Sequence, residues 1–179
     1  MTATTKGKSP GEAMREDFIA LLEELYAKDD RAALATLRRG LGKKPGEEMG
    51  IYRYLGRFAN RMKSLHQEEA YHLIATLFGL YPGESWRSSD GDKSKTNLGA
   101  SLRKLKNDMG GESVERRFVA LLNSHTEDLS EHLRQIVGLL KSKDIPLDWQ
   151  QLLEAIEFWD FDDDRRMQRN WAKSFWQED

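Results

Sequence analysis

Apolar residues recur along this chain at the three- and four-residue spacing that is typical of amphipathic helices. The stripe of Met14, Phe18, Leu21, Leu22 and Leu25 is the first example. Leucine occurs 23 times and valine only three times, so β-branched residues are too scarce for an extensive sheet. The pattern predicts an all-α protein, a compact bundle of about eight or nine helices, with two small helical lobes as a variant of that architecture.

The predicted helices fill most of the chain after a polar N-terminal segment. Apolar stripes and stop signals place them near residues 14–25, 33–37, 48–62, 71–81, 96–108, 113–124, 126–142, 149–159 and 160–176. We expect residues 1–12 to form a flexible tail and residues 13–179 to form one domain. The segment 82–95 is rich in Gly, Ser and Asp, and it is the best candidate for a boundary between lobes.

The composition restricts the chemistry that the protein can use. The 179 residues include no cysteine, which excludes disulfides, thiolate zinc sites and cysteine nucleophiles. No apolar run approaches the ~20 residues of a membrane span. The first twelve residues, "MTATTKGKSPGE", lack the apolar stretch of a secretory signal. We therefore expect a cytoplasmic protein with no membrane partner.

The net charge of −2 hides a strong asymmetry along the chain. Residues 31–66 contain nine Lys and Arg against two Asp and Glu, whereas residues 144–179 contain four against ten. A chain polarised in this way can bind phosphates with a basic face while its acidic face stays in solvent or contacts a protein.

Local signatures of catalysis are absent from the sequence. The four histidines are His66, His72, His125 and His132. None has the i, i+4 spacing of a zinc-binding helix, so we interpret them as surface or half-buried side chains. There is no G-x-x-x-x-G-K-[ST] phosphate loop and no G-x-S-x-G elbow, although a Ser–His–Asp triad with distant partners stays open.

An aspartate cluster precedes the last predicted helix, at Asp160, Asp162, Asp163 and Asp164. Such a cluster could bind Mg²⁺, but carboxylates before a helix also cap it and suit its dipole. We favour capping, and we predict no metal and no cofactor.

Two tryptophans, Trp149 and Trp159, could stack on nucleobases. Their spacing places both on the same helical face as Leu152 and Ile156. We therefore predict that they belong to the core.

The basic residues are the most informative polar set. Those singled out are Arg38, Arg39, Lys43, Lys44, Lys93, Lys95, Arg103, Lys104, Arg116 and Arg117. Charged runs are usually solvated surface. They are also what a protein needs in order to bind a phosphate backbone.

The positions of Arg116 and Arg117 argue against the interpretation that they are merely solvated surface charges. Ser113 is the predicted N-cap of the helix over 113–124, and Arg116 stands where a capping box would have Glu or Gln. Cations there oppose the helix dipole by about a few tenths of a kcal/mol each. A phosphate held by the free N–H groups and both guanidinium groups would offset that cost.

The segment from "VERRF" to "KSFW" resembles the small subunit of type I-E CRISPR Cascade, the CasB family. The resemblance rests on the double arginine, the pair Leu133–Arg134, "PLDW", the pair Phe158–Trp159 and an aromatic-rich final helix. A looser likeness extends back through "NLGASL" and "LRRGLG", so that about two-thirds of the chain is covered from Leu34 onward.

This resemblance implies an all-α protein that is not an enzyme. Such subunits occur as two copies in an RNA-guided complex, beside the crRNA-bearing backbone and the large subunit, and help to hold opened DNA. Arg38, Arg39, Arg116, Arg117 and Arg134 match basic positions of the family. The family often has arginine directly after the glycine of "LG", where this chain has Ala100, and Arg103 is the candidate replacement.

Three hypotheses follow from the sequence. The first is a non-catalytic Cascade subunit that binds the backbone of crRNA and of target or displaced DNA, with a second copy of itself in the complex. The second is a helical adaptor that binds only protein. The third is a small nuclease that uses the aspartate cluster.

Overall fold

The predicted all-α architecture is confirmed by a computed structural model that describes residues 7–161 and 163–177. Within those ranges there are nine α-helices and no strand. The helices are α1 Pro10–Ala27, α2 Arg31–Arg39, α3 Tyr52–Leu55, α4 Leu65–Leu80, α5 Leu98–Met109, α6 Gly111–Asn123, α7 Leu129–Ser142, α8 Trp149–Glu157 and α9 Arg166–Trp176.

The prediction of a single helix over residues 48–62 is wrong. That segment consists of a 3₁₀ turn at Met49–Ile51, the one-turn helix α3 and a second 3₁₀ turn at Ala59–Arg61. Gly56 directly follows α3, and glycine is a weak helix former. Ile51, Leu55 and Phe58 are nevertheless all buried. The broken turns therefore present one apolar stripe to the core, which explains why the pattern appeared helical.

Helix α1 begins inside the predicted tail 1–12. Ser9 is its N-cap and accepts a hydrogen bond from the backbone N–H of Glu12 at 3.2 Å. Pro10 occupies the first helical position, which suits its fixed φ and missing N–H. Residues 1–6 of the predicted tail lie outside the described residues.

Helix α4 forms the centre of the molecule. It packs on α2, α7 and α8. Nine of the ten residues from Ala70 to Gly79 are buried. One hydrophobic cluster joins residues from both sides of the loop 82–95, from Met14 in α1 to Phe175 in α9. The loop therefore connects two parts of the chain that share a core.

Both candidate tryptophans lie in this core, as predicted. Trp149 and Trp159 are each 1% exposed. Trp149 packs edge-on against Phe78 at 5.3 Å between ring centroids. The indole N–H of Trp159 donates to the carbonyl of Ser124 at 3.0 Å. Neither ring is accessible for stacking on a nucleobase.

Close packing between two helices explains the glycine of the "LG" motif. Gly99 lies in the first turn of α5, where α5 crosses α9. A Cβ at this position would lie 2.0 Å from the backbone oxygen of Trp171. The two helices can approach this closely only because residue 99 has no side chain.

Gly99→Ala should therefore lower the free energy of unfolding by about 1–3 kcal/mol, because the α5–α9 crossing must open. Gly138→Ala is the matched control, since Gly138 lies inside α7 with nothing within 4 Å of an added Cβ. That change should raise the free energy of unfolding by about 0.5–1 kcal/mol through helix propensity. Urea denaturation measures both, and equal effects of the two substitutions would contradict the tight crossing.

Candidate nucleic-acid interface

The double arginine lies in the second turn of its helix, not at the start. Helix α6 begins at Gly111, and its N-cap is Gly110 with a φ of +89°. Gly110 also ends α5, so it makes the reversal between the two helices. The predicted N-cap at Ser113 is therefore wrong. A capping serine would need extended backbone at a position that is already helical.

The dipole of α6 therefore gives no reason to expect an anion at the double arginine. Arg116 and Arg117 are five and six residues beyond the first residue of α6 and no longer oppose its dipole, which acts within the first turn. Both side chains remain exposed. They line a shallow surface cavity of about 210 Å³ together with His132 and Gln135 of α7.

Arg134 lies on the same helix, α7, and contacts the loop after α2. A Cβ on Gly42 would lie only 3.3 Å from Nη1 of the Arg134 guanidinium. Gly42 has a φ of +74°, which favours glycine in this turn. The contact brings Arg134 of α7 close to the backbone of the loop that also carries Lys43 and Lys44.

The C-terminal end of α2 carries Arg38 and Arg39. Its position is set by Gly79 of α4, where a Cβ would lie 2.5 Å from the backbone nitrogen of Arg38. Both arginine side chains are exposed. Arg39 donates to the hydroxyl of Thr36 at 2.9 Å. Cations at this end of the helix also suit its dipole.

The candidate basic residues divide into two groups by their partners. One group forms neither a salt bridge nor a cation–π contact within the described ranges, unlike Lys104, which lies over the Trp86 ring. We call it the unpaired basic group: Arg38, Arg39, Lys44, Arg116, Arg117 and Arg134. Its members project from the end of α2 and the loop after it, from α6 and from α7. Exposed cations without carboxylate partners are available to phosphates.

The other predicted residues are engaged within the protein. Lys43 pairs with Glu48 at 3.2 Å, and Lys93 pairs with Glu154 at 2.9 Å. Lys95 binds Asp90, and hydrogen bonds from Lys95 and Ser88 hold the pKa of the Asp90 carboxyl well below its usual range. Both lysines of the loop 82–95 therefore have carboxylate partners within the protein.

Comparison with known proteins identifies the family. The sequence matches the family model for the CRISPR-associated protein Cse2 over residues 33–176. The chain belongs to the Cse2 family. The resemblance to the CasB small subunit of type I-E Cascade, predicted from "ERRF", "PLDW" and the final helix, is thereby confirmed.

Relatives of this Cse2 chain include a curated Cse2 protein from Thermus thermophilus. The two are 31% identical over 170 residues, which span 94% of this chain and 90% of the relative. A crystal structure of a Cse2-family protein from the same species aligns with a TM-score of 0.76 at 28% identity, covering 92% of this chain and 98% of the other. CasB from M. ruber aligns at 0.68 with 30% identity, over 82% and 84% of the two chains.

A further likeness establishes the fold alone. A chain of a structure described as a CRISPR RNA-guided surveillance complex aligns with this Cse2 fold at a TM-score of 0.75, with 23% identity and 92% coverage of both chains.

Within the part of the chain that the structure describes, no helix has the length and apolar character needed to cross a membrane.

Ala100 stands where the family often has arginine, and this position is buried. Ala100 is 3% exposed in the first turn of α5, and its N–H is capped by the side chain of Asn97. Arg103 lies almost one turn further along and donates to the backbone carbonyl of Gln177 at 3.2 Å. Arg103 thus contacts the C-terminal segment, and its role as a replacement stays a prediction.

Sequence reasoning missed a second run of cations in this Cse2 chain. Arg53, Arg57, Arg61 and Lys63 are all exposed between α2 and α4. Arg61 pairs with Asp17 at 2.8 Å, whereas Lys63 forms no salt bridge with a described residue. The four-residue spacing in "RYLGRFANR" was the available signal.

The histidines and aspartates are placed apart from one another. In residues 7–161 and 163–177, no group of three His, Asp or Glu side chains could hold a metal ion. His72 is buried in α4, contrary to the expectation of a surface or half-buried ring, and burial lowers its pKa. The reason is that α4 is covered on nearly all sides.

The predicted aspartate cap of the last helix is wrong. The N-cap position of α9 is Arg165, with a φ of +50° and no side-chain hydrogen bond to the helix. Asp160 instead accepts hydrogen bonds from the N–H and the hydroxyl of Thr126, which ties the turn after α8 to the turn before α7. Asp163 and Asp164 are exposed, and Asp162 lies outside the described residues.

Proposed function

We propose that this protein is a non-catalytic, nucleic-acid-binding subunit of a CRISPR RNA-guided surveillance complex. It stabilises the crRNA–target R-loop by holding the sugar–phosphate backbone of opened DNA. Sequence recognition in such a complex comes from base pairing with the guide, so a subunit of this kind needs a basic track and no base-reading helix.

The unpaired basic group carries this proposal. Six exposed cations from α2 and its following loop, α6 and α7 have no carboxylate partner among the described residues. Surface ion pairs add little to stability, so leaving these cations unpaired costs the fold little and keeps them available to phosphates. Phosphates neutralise several such charges at once and release counterions, which is the main source of backbone affinity.

Family membership and fold support the setting in the complex. The Cse2 family model covers residues 33–176, and the fold matches that of a chain in a surveillance complex. The partners that follow are the crRNA-bearing backbone, the large subunit, a second copy of this chain, the crRNA and the target or displaced DNA strand. The working compartment that we propose is the cytoplasm.

A protein-only adaptor is the second candidate, and the exposed Asp160, Asp163 and Asp164 favour it. In that case, the unpaired basic group would meet acidic side chains of a partner protein instead of phosphates. The isolated chain would then bind DNA weakly or not at all, and binding would not depend on this group.

The test compares two double variants of the full chain. Wild-type protein should bind single-stranded DNA of any sequence, with affinity that falls as salt rises. Arg38→Gln with Arg134→Gln should reduce the log–log salt slope by about 1.4, because each lost phosphate contact on a single strand accounts for about 0.7.

Lys93→Gln with Lys95→Gln is the matched control, because both lysines already pair with carboxylates. It should leave the slope unchanged. A flat salt response of the wild type, or equal slopes for the two double variants, would argue for the adaptor.

A further inference from the structure

A cavity on another part of the surface has no role in the function proposed so far. It has a volume of about 540 Å³ and lies among the starts of α1 and α4 and the end of α8. Phe158 and Phe161 form one wall, and His66 and Gln67 of α4 line it as well. This volume is sufficient for one planar aromatic group with attached polar atoms.

The floor of the cavity is polar and fixed. Glu157 is 6% exposed, and its carboxylate accepts hydrogen bonds from Arg15 at 2.9 Å and from Gln67 at 2.7 Å. The ring Nε2 of His66 lies 2.9 Å from the backbone oxygen of Glu157. A carboxylate can accept about four hydrogen bonds, so acceptor sites remain beside the second N–H of the Gln67 amide. Donors and acceptors therefore stand side by side.

The wall presents an aromatic ring to solvent. Phe161 is 74% exposed, the highest value among the large apolar side chains of the described residues. Its centroid lies 6.1 Å from that of Phe158 and 6.4 Å from that of His66. An exposed aromatic face beside a polar floor fits a ligand that is planar and apolar on its faces but polar at its edge.

The charges around the cavity are mixed, because cations line it whereas the exposed Asp160, Asp163 and Asp164 flank Phe161 in the sequence. Arg15 neutralises Glu157, and Arg61 at the rim pairs with Asp17. Lys63, also at the rim, is left without a carboxylate partner among the described residues. It directly precedes Ser64, the N-cap of α4, where the helix dipole also favours negative charge. Lys63 and the start of α4 are therefore where a phosphate would bind at this cavity.

We propose that this cavity receives one nucleobase of an unpaired DNA strand, which stacks on Phe161 while Lys63 holds an adjoining phosphate. This inference rests on the proposed function, because that function supplies the single strand. It adds a stacking contact to binding that the unpaired basic group alone would make through phosphates. The contact tolerates any base, because every base has a π-face.

The experiment measures binding of the full chain to two strands of equal length at low salt. One is an oligothymidylate, and the other is an abasic strand with the same number of phosphates. Loss of stacking on one aromatic side chain corresponds to about 1–3 kcal/mol, or about a 5- to 150-fold change in affinity. The wild type should prefer the oligothymidylate by a factor in this range.

Three variants assign that preference to the cavity. Phe161→Ala should abolish it while leaving affinity for the abasic strand unchanged, and Phe161→Trp should keep it. Tyr26→Ala is the matched control, since Tyr26 is an exposed aromatic residue at the other end of α1. It should keep the preference as well.

The outcomes separate this inference from the proposed function. If the wild type binds both strands equally and with a steep salt dependence, backbone binding stands and the nucleobase cavity is overturned. The same holds if Phe161→Ala keeps the preference, in which case Phe161 serves a protein contact. If the wild type binds neither strand, both proposals fail.

Discussion

Trp159→Ala should lower the free energy of unfolding by about 3–5 kcal/mol, one of the two largest effects expected in this protein. The ring is 1% exposed and packs against Trp171 with a centroid distance of 5.0 Å. Its removal leaves a cavity between α8 and α9. It also removes the N–H that satisfies the buried carbonyl of Ser124.

Two further variants separate the loss of packing from the loss of the indole hydrogen bond. Trp159→Phe keeps part of the packing but still loses the indole donor, so it should be destabilised by an intermediate amount. Trp176→Ala should cost less than Trp159→Ala, since that ring is 43% exposed. Denaturant unfolding measures all three. A Trp159→Ala protein of wild-type stability would contradict the assignment of Trp159 to the core.

Arg15→Met should lower the free energy of unfolding by a similar amount, about 3–5 kcal/mol, because it leaves the charge of Glu157 buried without its partner. The Arg15–Glu157 pair joins α1 to α8 across the core, with side-chain exposures of 10% and 6%. The aliphatic part of methionine preserves most of the packing of the arginine stem. The predicted loss therefore comes mainly from the charge.

A double-mutant cycle tests that origin. Arg15→Met with Glu157→Gln removes both charges and keeps an amide that can still bond to Gln67. The double variant should be clearly more stable than the sum of the two single effects predicts. Additive single effects would show that the two groups are not coupled, contrary to the observed 2.9 Å contact.

Local capping chemistry explains which helix boundaries the sequence predicts well. Asp148 caps α8 through the N–H of Gln151 at 3.0 Å, and α8 begins at Trp149 as predicted. Ser113 failed in the same role because the Gly110–Gly111 reversal places the N-cap of α6 at Gly110, three residues earlier. Both serine and glycine are acceptable at helix starts, and their local preferences do not decide between them.

Pairing between distant residues explains what the sequence could not predict about the candidate site. Lys93 appears free in its loop, but its partner Glu154 is 61 residues away. Arg134 lies beside Gly42, although 92 positions separate them in the sequence. The basic residue types could be read from the chain, whereas the division into paired and unpaired groups depends on tertiary contacts that no local pattern records.

The central claim is that the unpaired basic group holds nucleic-acid backbone, and Arg116→Gln with Arg117→Gln tests it most directly. Both side chains are exposed and make no salt bridge to a described residue, so the free energy of unfolding should change by less than about 0.5 kcal/mol. Surveillance complexes reconstituted with this double variant should bind target DNA more weakly than those with the wild type.

The decisive measurement is target-DNA affinity of such complexes with two guides of unrelated sequence, over a series of salt concentrations. Phosphate contacts carry no base information, so the loss should be equal for both guides, and the salt slope should shrink by about one to two phosphate equivalents. Unchanged affinity and slope in a stably folded double variant would contradict the claim, as would a loss confined to one guide.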